Sequence, residues 1–362
     1  MDLLTQSSVH CVTSTLAQVL PVPILPKRVA LLQLPTMILL GVVLVLLGIA
    51  WFGCQYLKRL PESRINPAVV QSFSSRVSGW WMMYAVMGLC LLTGSSRLLV
   101  VLFFFVISFW ALREFITLTP TRLGDHRALF WIFFIFAPFQ YFLVYIGQGP
   151  IALGKFIPFE LDAHRLFTNF IPVYAFLFIP TRIALAGDHK RFLERTAKIQ
   201  SGLLVCVYAL SHAPALLDLN LTTEKIGKVG SAGILVFFIL VVQAGDVFQF
   251  VWNHLLGKRV IAKAINANKT WEGLIGGVIS AALVGMGLSW FTPFSLVQAA
   301  GMSVILALMG FAGSMTMSAV KRDRGVQDYG TLVEGHSGVL DRFDSICFAA
   351  PIFYHATRFF FT

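Results

Sequence analysis

Charge is scarce in this 362-residue chain: 12% of its residues are Asp, Glu, Lys or Arg, against about 25% in an ordinary soluble domain. That scarcity excludes a water-facing surface over most of the chain. Cysteine is sparse too. Cys11, Cys54, Cys90, Cys206 and Cys347 stand apart without CxxC spacing, so the pattern gives neither a zinc site nor a disulfide framework. The GxxxxGK[ST] phosphate loop is missing, as are low-complexity tracts and internal repeats. The opening MDLLTQSSVHCVTSTLAQVLPVPILPKR lacks a basic segment ahead of its weakly apolar part, which argues against a cleaved signal peptide.

Apolar residues are abundant, at 57% of the chain with 33 Phe. They gather into runs near 34–57, 77–94, 98–112, 128–146, 166–186, 199–217, 232–251, 274–292 and 296–319, with a shorter one near 345–361. Crossing a bilayer as a helix takes roughly 17–25 such residues. The pattern predicts an all-α fold, a polytopic integral membrane helical bundle of about nine or ten transmembrane helices. We divide it into an N-terminal transmembrane part, 1–230, and a C-terminal part, 231–362, that holds the two polar loops of interest.

The formal net charge of +11 would suit a nucleic-acid or anionic-membrane partner, but the basic residues follow the loops. Twenty fall on one side of the predicted spans, from Lys58 and Arg59 through Arg113, Arg195 and Lys258 to Lys321, Arg322, Arg324 and Arg342. Five fall on the other: Arg97, Lys155, Arg165, Lys225 and Lys228. The rich side is expected to be cytoplasmic. A charge set by topology does not indicate nucleic acid.

Two loops on that side hold more than topology requires. Within GDVFQFVWNHLLGKRVIAKAINANKTWEGLIGG (245–277), Asp246 lies in or at the end of an apolar run, and an intramembrane acid suggests function. Pairing with a lysine or capping of a helix end would also explain it. Lys269, Thr270, Glu272 and Gly273 combine a cation, a hydroxyl, an acid and a glycine at a helix start, which suits a phosphate. An ordinary capped helix start explains them equally well.

The second loop is KRDRGVQDYGTLVEGHSGVLDRFDS (321–345). Upstream of it Ser314, Ser318 and Lys321 share a helical face at i, i+4 and i+7, and Lys321 and Arg322 also fit as snorkelling residues at the interface. His336 sits near glycines. Asp341 and Asp344, at i and i+3, share a face if helical and could bridge a hard cation such as Mg²⁺. Arg342 between them could instead neutralise one acid. Basic residues, paired acids and glycines at a lipid boundary point to phosphoryl or nucleotidyl transfer with a lipid substrate.

Ser318-Ala-Val-Lys321-Arg322, Asp328 and Gly335-His336-Ser337-Gly338-Val-Leu-Asp341-Arg342-Phe-Asp344 resemble the C-terminal signature of the phosphatidate cytidylyltransferase (CDP-diacylglycerol synthase) family, with spacing preserved. The segments GDVFQFVWNHLLGK and NKTWEGLIGG resemble a second block of the same family. Together the two blocks cover about a hundred residues. The resemblance implies CTP and phosphatidate as substrates, with CDP-diacylglycerol and pyrophosphate as products of phospholipid biosynthesis. It implies Mg²⁺ held by Asp341 and Asp344 with help from Asp246, and a nucleotide end at Lys269, Thr270, Glu272 and Gly273. Ser318, Lys321, Arg322, Asp328, His336 and Arg342 would surround the reacting phosphates. It also implies a bacterial inner membrane, a site on the cytoplasmic face, and a homodimer as one admissible assembly.

Four positions depart from the family pattern: Ser314 stands where aspartate is common, Gln327 for lysine, Ser337 for glycine, and Asn266-Ala267 for Ser-Pro. Two other functions stay open at this stage. One is a CTP-dependent lipid kinase; the other is a degenerate lipid-binding or transport protein.

Overall fold

A backbone surrounded by hydrocarbon has to satisfy its N–H and C=O groups within itself, and a continuous helix does so. The computed structural model describes residues 34–59, scattered positions between 74 and 90, and residues 97–118, 121–147, 150–152, 160–219, 221, 226–326 and 338–362. Over these residues the chain is predominantly helical, as an all-α polytopic membrane protein should be.

The first described helix, α1 (Leu34–Arg59), has an apolar stretch, Leu40–Tyr56, and ends on Lys58 and Arg59. Among the described residues, seven further helices are long and apolar enough to cross a membrane. They are α2 (Arg97–Thr117), α3 (Leu123–Ile146), α4 (Ala163–Ala184), α5 (Phe192–Asp218), α6 (Ile226–Leu256, apolar from Ser231), α7 (Trp271–Gly287, continued by a tight turn to Phe291) and α8 (Leu296–Asp323). The run expected near 98–112 extends through Ile116 and so gains a full membrane length. The last helix, α9 (Leu340–Phe361), starts before the two acids and keeps both in its first turns. Most of the expected run near 77–94 lies outside the described residues.

Among the described residues, two small antiparallel strand pairs interrupt the helices. β1 (Pro150–Ala152) pairs antiparallel with β2 (Glu160–Asp162), and β3 (Val260–Ala262) pairs with β4 (Asn266–Thr270) between α6 and α7. At 28 residues α8 is about 42 Å long. The hydrocarbon core is about 30 Å thick. Its final turns, with Lys321 and Arg322, can therefore stand clear of the lipid.

Helices α3, α4 and α5 each contain a π-helical stretch: Ile132–Phe136, Phe170–Ala175 and Leu203–Ala209. Pro172 lies inside the second and Pro138 follows the first, and a proline removes one helical donor. Polar side chains take up groups at these irregularities. Ser108 Oγ donates to the Cys206 carbonyl at 2.7 Å, and Gln140 Nε2 donates to the Phe167 carbonyl and to Ser211 Oγ, both at 3.2 Å.

At the end of α3 and α5 that carries the basic loops, the Arg195 guanidinium grips the Asp125 carboxylate at 2.7 Å, with both side chains almost fully buried. Asp188 joins them from the connecting turn. Its carboxyl is held below the usual range by the Lys190 backbone N–H and by Arg122 and Arg195.

The C-terminal helices pack as one group. α6 lies against α7 and α8, α7 against α8, and α8 against α9. Small residues permit the close crossings. A Cβ on Gly277 would sit 2.3 Å from Gln249 Cγ, and one on Gly313 would sit 2.6 Å from the Asp344 carbonyl oxygen. The first contact holds α7 on α6, and the second holds α8 on α9.

Candidate functional site

α6, the β3–β4 hairpin, α7, α8 and α9 bring the described residues of both polar segments of the sequence, 245–277 and the two ends of 321–345, to one end of this group. From α6, Asp246, Gln249 and Asn253 follow one another at i, i+3 and i+7, which places them on one face. Asn253 organises the hairpin. Its Oδ1 accepts from the Thr270 backbone N–H at 3.0 Å and from Thr270 Oγ1 at 2.7 Å. Thr270 is in turn the N-cap of α7 and accepts from the Gly273 N–H at 3.1 Å. A Cβ on Gly273 would fall 1.7 Å from Asn253 Oδ1, so glycine here makes room for the asparagine.

Glu272 points back across the turn. Its carboxylate accepts from the backbone N–H groups of Lys258 and Arg259 at 3.2 and 3.1 Å. Lys269 donates to Gln249 Oε1 at 3.2 Å and lies 5.5 Å from the centre of the Phe311 ring. Of the four nucleotide-end residues expected from the sequence, Lys269 is thus the one turned toward α6 and α8, whereas Thr270, Glu272 and Gly273 shape the hairpin and the start of α7.

On α8, Ser318 is buried and its hydroxyl accepts from Asn266 Nδ2 at 3.3 Å. Asn266, one of the departures from the family pattern, therefore reaches a residue of the site. Arg322 Nε donates to the Ile265 carbonyl at 3.2 Å, fastening the hairpin to the end of α8. Lys321 Nζ donates to Asp341 Oδ1 at 2.7 Å, joining α8 to α9 across the intervening loop. The Gly338 N–H donates to the other Asp341 oxygen at 3.2 Å.

Asp344, one turn further along α9, accepts from the Ser345 N–H at 2.7 Å. It lies within the electrostatic reach of Asp246, Lys269 and Asp341. Asp246, Asp341, Asp344, Lys269, Ser318 and Lys321 therefore converge from four elements. Among the described residues, no three His, Cys, Asp or Glu side chains form a ready metal-binding group. Asp341 acts here as an ion-pair and hydrogen-bond partner, and Asp344 as a hydrogen-bond acceptor. Arg342 sits on the same turn as Asp341, half-buried. Asp328 and His336, with Gln327 and Ser337, lie outside the described residues.

Sequence reading missed three participants. Gln249 and Asn253 were inside a quoted segment, and their spacing from Asp246 was the available signal. Glu114 gave none. Its buried carboxylate, on α2, accepts from the backbone N–H groups of Val339 and Leu340 at 2.9 and 2.8 Å. A carboxylate there caps the start of α9 and complements the positive end of the helix.

A family model described as "Cytidylyltransferase family" matches residues 74–360 and so spans the whole site. The uncharacterized protein YnbB of Escherichia coli K12 is 34% identical over 302 residues, which cover 83% of this chain and 91% of that protein. Proteins named phosphatidate cytidylyltransferase from Staphylococcus aureus (strain COL) and Staphylococcus haemolyticus (strain JCSC1435) are 34% and 36% identical over 120 residues. Those segments make up 33% of this chain and 46% of each relative, so the chain spans less than half the length of these two.

Proposed function

The chain belongs to the cytidylyltransferase family, and from that membership and the polar cluster between α6 and α9 we propose that it transfers the cytidylyl group of CTP to phosphatidate. The products are CDP-diacylglycerol and pyrophosphate. The observation that carries this reading is the convergence of Asp246, Asp344, Lys269, Lys321 and Asp341 at one end of the helical group. We place that end on the cytoplasmic face of a bacterial inner membrane, because the basic loops gather there.

A phosphate oxygen of phosphatidate attacks the α-phosphorus of CTP, and the bond between that phosphorus and the α,β-bridging oxygen breaks. Pyrophosphate leaves with the electron pair. No covalent intermediate on the protein is required, so the side chains act by alignment and charge neutralisation. Lys269 and Lys321 neutralise phosphate oxygens, and Arg322 and Arg342 add positive charge at the mouth. Ser318 offers a hydroxyl, and the Asn253–Thr270 pair keeps the hairpin fixed against α6. Asp328 and His336 belong to the same loop by sequence and complete the phosphate surround in this reading.

The donor set suits Mg²⁺, which prefers carboxylate oxygens and fills its shell with water and substrate phosphates. Asp341 and Asp344 would hold it, with help from Asp246. When bound, Mg²⁺ supplies positive charge to the triphosphate.

The test is product analysis with the full chain in detergent, CTP, phosphatidate and Mg²⁺. Cytidylyl transfer releases pyrophosphate, whereas a CTP-dependent lipid kinase releases CDP. CDP release, or binding of phosphatidate without any turnover of CTP, would contradict the proposal.

A further inference from the structure

Gln249 stands one turn along α6 from Asp246 and is 1% exposed. α7 presses on it so closely that a Cβ on Gly277 would lie 3.0 Å from its backbone nitrogen. A buried carboxamide needs partners for both of its ends. Here Oε1 accepts from Lys269 Nζ at 3.2 Å, and Nε2 reaches the Ala307 carbonyl oxygen of α8 at 3.5 Å, a long contact. A carbonyl can only accept and an ammonium can only donate, so these two neighbours fix which way round the amide lies.

The lysine is held along its whole length. Its backbone precedes Thr270, which Asn253 ties to α6. Its ammonium meets Gln249 one turn earlier on α6, and it lies 5.5 Å from the centre of the Phe311 ring on α8. A cation is attracted to the face of such a ring. Phe311 opens the α8 face that continues through Ser318 to Lys321. The ammonium is thereby directed from two helices toward the polar cluster.

Both of these partners are neutral. A neutral acceptor orients a cation without cancelling its charge, whereas a carboxylate at the same place would compete with a phosphate oxygen for it. Asp344 on α9 also feels the charge of Lys269. An ammonium released by Gln249 would be drawn to that acid.

We infer that Gln249 is a positioning residue, whose neutral carbonyl holds the Lys269 ammonium, beside the Phe311 ring, in the direction from which it meets the triphosphate of CTP. The inference rests on the phosphate role given to Lys269 above. A donor set in place beforehand does not have to reorganise when the phosphate arrives.

The test is a double-substitution cycle in the full chain in detergent: Gln249→Met, Lys269→Met and the two together. CTP binding is measured by equilibrium dialysis, and kcat and KM by pyrophosphate release with phosphatidate and Mg²⁺. Methionine matches glutamine in length and removes the acceptor. Gln249→Met should need about tenfold more CTP for half-saturation. Added to Lys269→Met it should change nothing further, because a residue that acts through another does not add to its loss. Gln249→Glu should also weaken CTP binding, since it holds the ammonium with a charged acceptor.

Unchanged CTP affinity in Gln249→Met, or a loss that multiplies with that of Lys269→Met, would overturn the inference, and Gln249 would then serve packing alone. CTP binding by Gln249→Glu as tight as in the unaltered chain would overturn the need for a neutral partner. An unaltered chain that binds CTP and releases no pyrophosphate would contradict cytidylyl transfer, and the binding cycle would still decide on Gln249. Absence of CTP binding by the unaltered chain would overturn both. If Gln249→Met does not fold, Gln249→Glu and its combination with Lys269→Met decide.

Discussion

Glu114 holds Asp341 in place through the backbone: its carboxylate receives the N–H groups of Val339 and Leu340, the two residues immediately before that aspartate. The link joins α2, in the N-terminal half, to the helix that carries both acids of the candidate site. Lys321 and the Gly338 N–H then fix the Asp341 carboxylate itself. Glu114→Ala strips two helix-start donors of their partner and should lower stability by about 1–3 kcal/mol. Glu114→Gln keeps an acceptor oxygen and should recover part of the loss. Chemical denaturation of the three proteins in one detergent measures this; equal stability of the alanine and unaltered chains would contradict it.

The hairpin makes a second prediction. Asn253 accepts two hydrogen bonds from Thr270, and Gly273 leaves room for it. Gly273→Ala forces the asparagine aside and should cost about 1–3 kcal/mol, the usual range for an overpacked contact. Asn253→Ala removes the acceptor instead. Amide exchange in β3 and β4 should quicken in both variants, and unchanged protection would show that the hairpin does not depend on this contact.

Ser314 occupies a position where the family pattern often has aspartate. It lies on the α8 face that continues to Ser318 and Lys321. If that face meets the proposed Mg²⁺, Ser314→Asp adds a charged oxygen and should lower the Mg²⁺ concentration needed for half-maximal activity. An unchanged titration would place Ser314 away from the ion.

The pair Arg195–Asp125 joins α3 to α5 with almost no exposure. Breaking a buried pair leaves an uncompensated charge, at a cost of about 3–5 kcal/mol. Asp125→Asn should therefore lower the unfolding midpoint markedly. Arg122→Gln loses only the side-chain contact with half-buried Asp188, keeps the backbone N–H that donates to Asp125, and should change it little.

Much of this arrangement could be read in the residues before any coordinates. Apolar runs report directly on hydrocarbon contact, so the spans between 97 and 323 were legible, with ends that differ by up to seven residues, as at Phe192 against an expected 199. The i, i+3 spacing of Asp341 and Asp344 also carried its meaning, because a helix turns that interval into a shared face. Glu114 could not be found this way: its partners are more than 220 residues away, and a lone acid before a loop looks like any interfacial charge. Gly273 suits either a phosphate or a capped helix start by sequence, and in the structure Gly273 and Gly277 face Asn253 and Gln249. A glycine reports that something comes close, and only packing tells what. Thr270 and Glu272 followed the same course, since a capped helix start and a phosphate cradle use the same side chains.

The most direct measurement is pyrophosphate release from CTP by the full chain, with phosphatidate and Mg²⁺, compared between the unaltered protein and Asp341→Asn. The account predicts phosphatidate-dependent release that the substitution abolishes while expression and folding persist. Release at a near-normal rate from Asp341→Asn would contradict the role given to that carboxylate. No release at any Mg²⁺ concentration from the folded, unaltered protein would contradict cytidylyl transfer itself.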